Sequence, residues 1–153
     1  MNAKIEVKEM PEMELAYIAT IGINNISSSY DRLIKWATPK GLITDKTKMI
    51  TVYHDSLKVT EANKARTSAG ILLHEPLSMT VEIGLRKIES QKCIVAHYVI
   101  GIHKFEKAWT SLFIWMKDQG YEKANSEPFE IYHNNFNEHP ERIAFVDFCI
   151  PVN

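Results

Sequence analysis

The amino-acid sequence predicts an α+β fold, in which two similar lobes with antiparallel sheets flank a central ligand pocket. The chain has 153 residues, a length typical of a single domain. Its second half repeats its first in one register without gaps, so that Trp36 matches Trp115 and Gly41 matches Gly120. The sequence contains only three Trp and six Gly, so matched pairs of both types in one register indicate a duplication.

Each repeat reads in order as strand, helix, strand, strand. The segments Leu15–Ile23 and Lys92–Ile102 are apolar and β-branched, as expected for strands. Apolar residues then recur at spacings of three and four over residues 26–37 and 105–116, which predicts two helices. Gly41 and Gly120 follow these stripes and suit a left-handed helix cap. Asn25 and Ser27 are candidate N-caps of the first helix.

Two further pairs of strands complete the repeats. They are Met49–His54 with Pro128–His133, and Thr67–Leu73 with Arg142–Val152. The segments around Ile5 and at Val81–Ile88 open the repeats, which cover about residues 5–74 and 81–153. Residues 73–80, which include Pro76, join them. The sequence therefore predicts one domain over residues 1–153, with one helix in each lobe.

Composition excludes several classes of function. The net charge is −1 and the basic residues are dispersed, so we expect no direct nucleic-acid binding. No stretch approaches the ~20 apolar residues of a membrane span, and no signal peptide is visible, which favours a cytoplasmic protein without membrane contact. Cys93 and Cys149 lie in apolar segments, which is typical of buried thiols; a disulfide or a reactive thiol is the alternative.

Glu130 is the leading candidate for a ligand-binding residue. On the strand over residues 127–133, alternation places Glu130 and Tyr132 on one face. Their counterparts in the first repeat are Thr51 and Tyr53, and a pseudo-twofold axis would bring the two tyrosines together across the seam between the lobes. A single carboxylate between tyrosines suits a cation, which the charge attracts and the rings contact. The alternative is that Glu130 is a solvent-facing strand residue.

The other chemical groups give weaker signals. Trp36 and Trp115 lie at the edges of their helical stripes, where they either line the seam or pack into the core, whereas Trp109 fits the core stripe. The six histidines form no metal-ligand spacing, and no catalytic nucleophile pattern occurs. We therefore predict no catalytic residue, no metal and no cofactor.

The duplicated unit resembles the GyrI-like small-molecule-binding domain, the family that includes effector-binding domains of AraC-type regulators and a DNA gyrase inhibitor. The resemblance is carried by the duplication, by the segment from Phe129 to Asn134 and by the closing segment from Asp147 to Val152. It covers about residues 5–152. Asp147 keeps an aspartate that relatives tend to carry, whereas Ser68 replaces it in the first repeat.

The resemblance implies a stand-alone binding protein for hydrophobic, drug-like organic cations. It implies that Glu130 points into an aromatic pocket beside Tyr132, and the duplication adds Tyr53. Two alternatives remain open. The first is a hydrolase of reactive ring compounds, with Glu130 as a general base; the second is an inhibitor that binds a protein such as gyrase.

Overall fold

The computed structural model describes residues 3–56, 59–75, 77 and 83–153. Within these residues it contains two α-helices and eight strands, whose pairs are antiparallel. The elements are β1 Lys4–Met10, β2 Met13–Ile21, α1 Ile26–Ala37, β3 Met49–Tyr53, β4 Arg66–Leu73, β5 Gly84–Ile88, β6 Gln91–Gly101, α2 Phe105–Asp118, β7 Phe129–Tyr132 and β8 Ile143–Pro151. The predicted α+β class is confirmed.

The chain divides into two compact units. The N-terminal unit is Glu12–Glu89, and the C-terminal unit combines Ser90–Asn153 with strand β1. The strand order is β3-β4-β2-β5 in the first and β1-β6-β8-β7 in the second. Each strand that opens a predicted repeat therefore pairs in the other repeat: β1 pairs with β6, and β5 pairs with β2. Val81 and Pro76 lie outside the described residues.

In the N-terminal unit, α1 packs on one face of its sheet. Leu33 and Ala37 of the helix join Ala16, Ile18 and Ile71 of the sheet in a buried cluster. The buried side of the helix also carries a polar residue, Ser29, whose hydroxyl group accepts a hydrogen bond from Thr20 at 2.6 Å. This hydrogen bond offsets the cost of burying two hydroxyl groups.

In the C-terminal unit, α2 packs on a larger and more apolar core. Ala108, Leu112 and Met116 recur every four residues along the helix, and all three are buried. Alternate residues of β6 and β8 face them. The buried members of this cluster on the two strands are Ile94, Ala96, Tyr98, Ile100, Ala144, Val146, Phe148 and Ile150. The opposite faces of β6 and β8 therefore turn away from α2.

Strand register corrects the alignment of the repeats at one place. Thr20 pairs with Thr67, and Tyr98 pairs with Val146. The repeat aligns Thr67 with Val146 and Thr20 with Val99. In the sheet, however, the residue paired with Val146 is Tyr98, which comes one residue before Val99. One additional residue therefore lies between Tyr98 and α2. Gly22 and Gly101 both stand at the N-cap of the 3-10 turn before their helix, but Gly22 has φ +94° and Gly101 has φ −68°.

The predicted helix ends are largely confirmed. Gly41 and Gly120 have φ +72° and +80°, in the left-handed region where glycine is favoured. Asn25 is the N-cap residue of α1, but its side chain makes no cap hydrogen bond. It instead donates to the carbonyl of Ile21. Ser27 lies one residue inside the helix, so it is not the cap.

Two expectations from composition can be compared with the structure. Cys93 and Cys149 are both buried and unbridged, as predicted for small apolar residues. Burial raises the pKa of the Cys93 thiol to about 11, and that of Cys149 rises as well, which makes both poor nucleophiles. Among the described residues, no helix combines the length and the apolar character that a membrane crossing requires.

Candidate functional site

Glu130 lies on the helix-facing side of the C-terminal sheet. In the β7–β8 register, Glu130 pairs with Phe148 and Tyr132 pairs with Val146. Directly paired residues share a face, and both Phe148 and Val146 belong to the core beneath α2. Glu130 and Tyr132 therefore share one face of the sheet, as the alternation along the strand predicted.

The Glu130 carboxylate is fully buried and accepts hydrogen bonds from two aromatic side chains. The exposed fraction of the residue is 0%. Trp109 on α2 donates its indole Nε1–H to Oε2 over 2.7 Å, and the Tyr132 hydroxyl donates to Oε1. Burying a carboxylate without such partners is costly, so these two side chains are part of what makes the position tolerable. A solvent-facing Glu130, the alternative open from the sequence, does not occur here.

Aromatic rings surround this carboxylate. The Trp109 ring stacks on Phe148 with centroids 4.4 Å apart, and Phe148 and Phe105 meet edge to face with centroids 5.2 Å apart. The Tyr132 ring lies 6.2 Å from Phe105 and 5.7 Å from Phe136. The rings create an apolar, polarisable environment beside the Glu130 carboxylate. Glu130 together with these rings is called the acidic aromatic site below.

The N-terminal unit carries an uncharged counterpart. Thr51 is 1% exposed, and its hydroxyl group lies 2.7 Å from the hydroxyl oxygen of Tyr30 on α1. Tyr53 is half-buried and pairs with Thr67 of β4. A helix aromatic thus meets a buried polar strand residue in both units, but only the C-terminal unit places a carboxylate there.

The two other predicted aromatics are half-buried within their own units. Trp36 packs against the N-terminal core, and the Lys40 Nζ atom lies 5.5 Å from its ring centroid. Trp115 packs against the C-terminal core and stacks on Tyr121 at 6.2 Å. Both rings therefore contribute to packing, and a contact of either with a ligand stays a prediction.

Trp109 is the site residue that sequence reasoning assigned to the core alone. Trp109 does pack on Phe148, but its ring nitrogen also donates a hydrogen bond to Glu130. A signal was available in the repeat: the register that matches Thr51 with Glu130 also matches Tyr30 with Trp109. A buried carboxylate needs donors and an indole N–H can only donate, so the repeat indicated Trp109 as a neighbour of Glu130 without fixing its donor role.

The opposite face of the C-terminal sheet carries a chain of polar contacts. His97 contacts both Asp147 and Glu6, and His133 Nε2 lies 2.9 Å from Oδ2 of Asp147. A shallow, open groove of about 420 Å³ runs along these histidines, with Val99 and Phe145 as its apolar wall. In the described part of the chain, no group of three or more His, Cys, Asp or Glu residues is arranged to hold a metal ion.

The family is decided by comparison of the whole chain. The family model of the GyrI-like small molecule binding domain matches residues 3–153. The chain belongs to the GyrI-like family. This confirms the resemblance seen in the sequence and makes the chain a small-molecule-binding domain by family. No curated protein sequence matches it at a significant level.

Solved structures share the fold of this GyrI-like domain at low sequence identity. The EcmrR C-terminal domain is 19% identical with a TM-score of 0.79, and the match covers 100% of this chain and 99% of the other. A hydrolase from Listeria innocua is 12% identical with a TM-score of 0.66 and coverages of 98% and 92%. SAV2435, solved bound to tetraphenylphosphonium, is 12% identical with a TM-score of 0.65 and coverages of 98% and 94%.

Proposed function

We propose that this GyrI-like domain binds lipophilic organic cations and that Glu130 supplies the negative charge that selects them. The observation that carries the proposal is the burial of this carboxylate, with 0% exposure, beside Trp109 and Tyr132. An acid placed there by accident would be expected to reach solvent, because unpaired buried charges are strongly disfavoured.

Charge and aromatic surface act on the same ligand in different ways. Trp109 and Tyr132 are neutral donors, so their hydrogen bonds stabilise the Glu130 carboxylate without adding positive charge. A bound cation would neutralise it in an environment where charge–charge attraction is stronger than in water. The ring faces add cation–π attraction and apolar contact, which together favour bulky aromatic cations over small hydrated ions.

Access to Glu130 requires a side-chain movement. Because no part of Glu130 is exposed, a cation can reach its carboxylate only when a neighbour moves aside. Trp109 and Tyr132 are both half-buried and both donate a hydrogen bond to Glu130, and Tyr132 has the smaller ring, so it is the simpler residue to displace. Replacing Tyr132 by Phe removes that hydroxyl and should lower the barrier to ligand entry.

The tetraphenylphosphonium complex of SAV2435 supports the ligand class. That protein shares the fold of this chain and binds a cation that offers only charge and phenyl rings to its site. The identity is 12%, so the complex guides the choice of probe and does not assign residues here. Contacts of a ligand with Tyr53, Thr51, Trp36 and Trp115 stay predictions from the sequence.

Tetraphenylphosphonium titration of matched variants tests the role of Glu130. Glu130→Gln keeps the shape and the ability to accept the Trp109 hydrogen bond, and its amide can donate to the Tyr132 oxygen. We expect the affinity to fall about 10- to 100-fold, as for loss of a charged contact. Glu138→Gln makes the same change at an exposed residue and should bind like the original chain. Equal affinity of all three proteins for tetraphenylphosphonium would exclude a role of Glu130 in binding.

The same variants test the hydrolytic alternative. A hydroxyl donor against a carboxylate is also an arrangement that a general base can use. A reactive cyclopropane compound is therefore incubated with the original chain and with Glu130→Gln, and products are separated by mass. If the protein only binds the compound, the compound should be recovered unchanged. A water adduct that forms with the original chain but not with Glu130→Gln would favour hydrolysis.

A further inference from the structure

A line of titratable side chains crosses the C-terminal sheet on the face that turns away from α2. Glu6 lies on β1, His97 on β6 and Asp147 on β8, and His133 follows β7. His97 pairs directly with Asp147, while its neighbours Ala96 and Tyr98 point into the core beneath the helix. Alternation along the strand therefore separates this line from the acidic aromatic site.

Both ring nitrogens of His97 contact carboxylates. Nδ1 lies 2.6 Å from Oδ1 of Asp147, and Nε2 lies 2.9 Å from Oε2 of Glu6. An ionised carboxylate only accepts hydrogen bonds, whereas a neutral imidazole has one donor and one acceptor nitrogen. The two contacts together therefore require an imidazolium ring, protonated on both nitrogens.

Both carboxylates that contact His97 favour their ionised form. Burial raises the pKa of Asp147, but hydrogen bonds from His133 and His97 outweigh burial, and the pKa is lowered overall. The pKa of Glu6 is also lowered, chiefly by its hydrogen bond with His97. In each of the two contacts the proton therefore lies on the His97 ring.

We propose that the charged His97 is a pH-dependent clamp that holds strand β1 on the C-terminal sheet. Strand β1 lies at the edge of this sheet and pairs with β6, so Glu6 is its side-chain link to Asp147 through His97. Loss of one proton turns a ring nitrogen into an acceptor that faces a carboxylate, and one contact becomes repulsive. The side chain of Glu6 is 35% exposed and that of Asp147 is 14% exposed, so the Glu6 contact opens first.

The direction of the pH effect follows from the partners. A histidine that gains carboxylate partners contributes stability that is fully present below the ordinary histidine value, about 6.5, and is lost as the pH rises above it. Lys4 pairs opposite His97 and opposes its charge, and Lys8 Nζ lies 3.5 Å from Oε1 of Glu6. Both lysines are exposed, so solvent screens them. His133 binds the other oxygen of Asp147 and keeps that carboxylate in place.

Amide hydrogen exchange of β1 tests the clamp. Protection of β1 amides, corrected for intrinsic exchange and referred to β8 amides, should fall about tenfold between about pH 6 and pH 8. In Glu6→Gln the fall should disappear, because an amide accepts from a protonated nitrogen and donates to an unprotonated one. Glu9→Gln makes the same change on the same strand and should keep the fall. A pH-independent β1 in the original chain, or an unchanged fall in Glu6→Gln, overturns the proposal.

Imidazole ¹⁵N NMR gives a second readout that does not depend on strand opening. At pH 7, above the ordinary histidine value of about 6.5, His97 should retain both ring protons. In Glu6→Ala, His97 should lose its second proton at a lower pH than in the original chain. A His97 that has lost one ring proton at pH 7 in the original chain would contradict the geometry-based assignment.

Discussion

The two units make the same helix–strand contact with different charge. In the N-terminal unit, the Tyr30 hydroxyl oxygen lies 2.7 Å from the Thr51 hydroxyl oxygen. In the C-terminal unit, Trp109 Nε1 lies 2.7 Å from Oε2 of Glu130. The unit with threonine shows that a neutral hydrogen bond is enough to join helix and sheet, so the carboxylate of the other unit is not needed for packing. This difference is the structural reason to propose a binding role for Glu130.

A second pair of equivalent contacts differs in the same way. His54 Nε2 lies 2.7 Å from the Ser68 hydroxyl oxygen, and His133 Nε2 lies 2.9 Å from the Asp147 carboxylate. Both members again match in the register of the repeat, His54 with His133 and Ser68 with Asp147. We propose that the units arose by duplication and that acidic residues distinguish the C-terminal copy, on the helix side at Glu130 and on the opposite side at Asp147.

The largest difference between the units is expected in hydrogen-bond strength. A double-mutant cycle with Trp109→Phe and Glu130→Leu should give a coupling free energy of about 2 kcal/mol, because hydrogen bonds to charged groups are the stronger class. The matching cycle with Tyr30→Phe and Thr51→Val should give about 1 kcal/mol. Urea unfolding measures both. Equal coupling energies would mean that the Glu130 charge adds nothing to the contact.

A smaller difference is expected between Asp147 and Ser68 in their response to pH. The hydrogen bonds from both histidines lower the pKa of Asp147 despite its burial. Its contribution to stability is therefore present above the unfolded value, about 3.9, and is lost as the pH falls through the folded pKa. Asp147→Asn should lower the free energy of unfolding by about 1–2 kcal/mol at pH 7 and by less near pH 3.

Ser68→Ala is the matched change in the N-terminal unit. Serine does not titrate, so the cost of this substitution should be the same at both pH values once the change in His54 protonation is allowed for. If Asp147→Asn also lowers the free energy of unfolding by the same amount at both pH values, the two positions differ in shape and not in charge.

The smallest effect is expected at Thr67. Its hydroxyl group is buried and has no hydrogen-bond partner among the described residues. An unsatisfied buried hydroxyl is destabilising, so Thr67→Val should raise the free energy of unfolding by about 0.5–1 kcal/mol. Thr51→Val removes a hydroxyl that is bonded and should lower it. Thermal or urea unfolding of the two variants should therefore give opposite signs.

Much of the fold was readable from the sequence because each unit is built from local patterns. Alternation and helical spacing placed both helices and most strands with ends shifted by at most two residues, whereas β5 begins at Gly84 and not at the predicted Val81. The sequence was a poorer guide to which strands pair with each other. Backbone hydrogen bonds carry no sequence signal, so the pairing of β1 with β6 and of β5 with β2 did not follow from the order of the repeats.

The site was predictable in part for the same reason. Alternation along β7 put Glu130 and Tyr132 on one face, as the structure has them. The donor role of Trp109 depends on which edge of the indole ring meets the strand, and spacing does not determine that. The contacts of His97 join three strands through their register, which no local pattern encodes.

A pair of ligands with the same shape and opposite charge tests the central claim most directly. Tetraphenylphosphonium and tetraphenylborate both present four phenyl rings around one centre and differ in sign. Calorimetric titration of the original chain should show a preference for the cation of at least about 100-fold, and Glu130→Gln should reduce that preference by about tenfold or more. The same preference in both proteins, or tighter binding of the anion by the original chain, would contradict the assignment of Glu130 as the residue that selects cations.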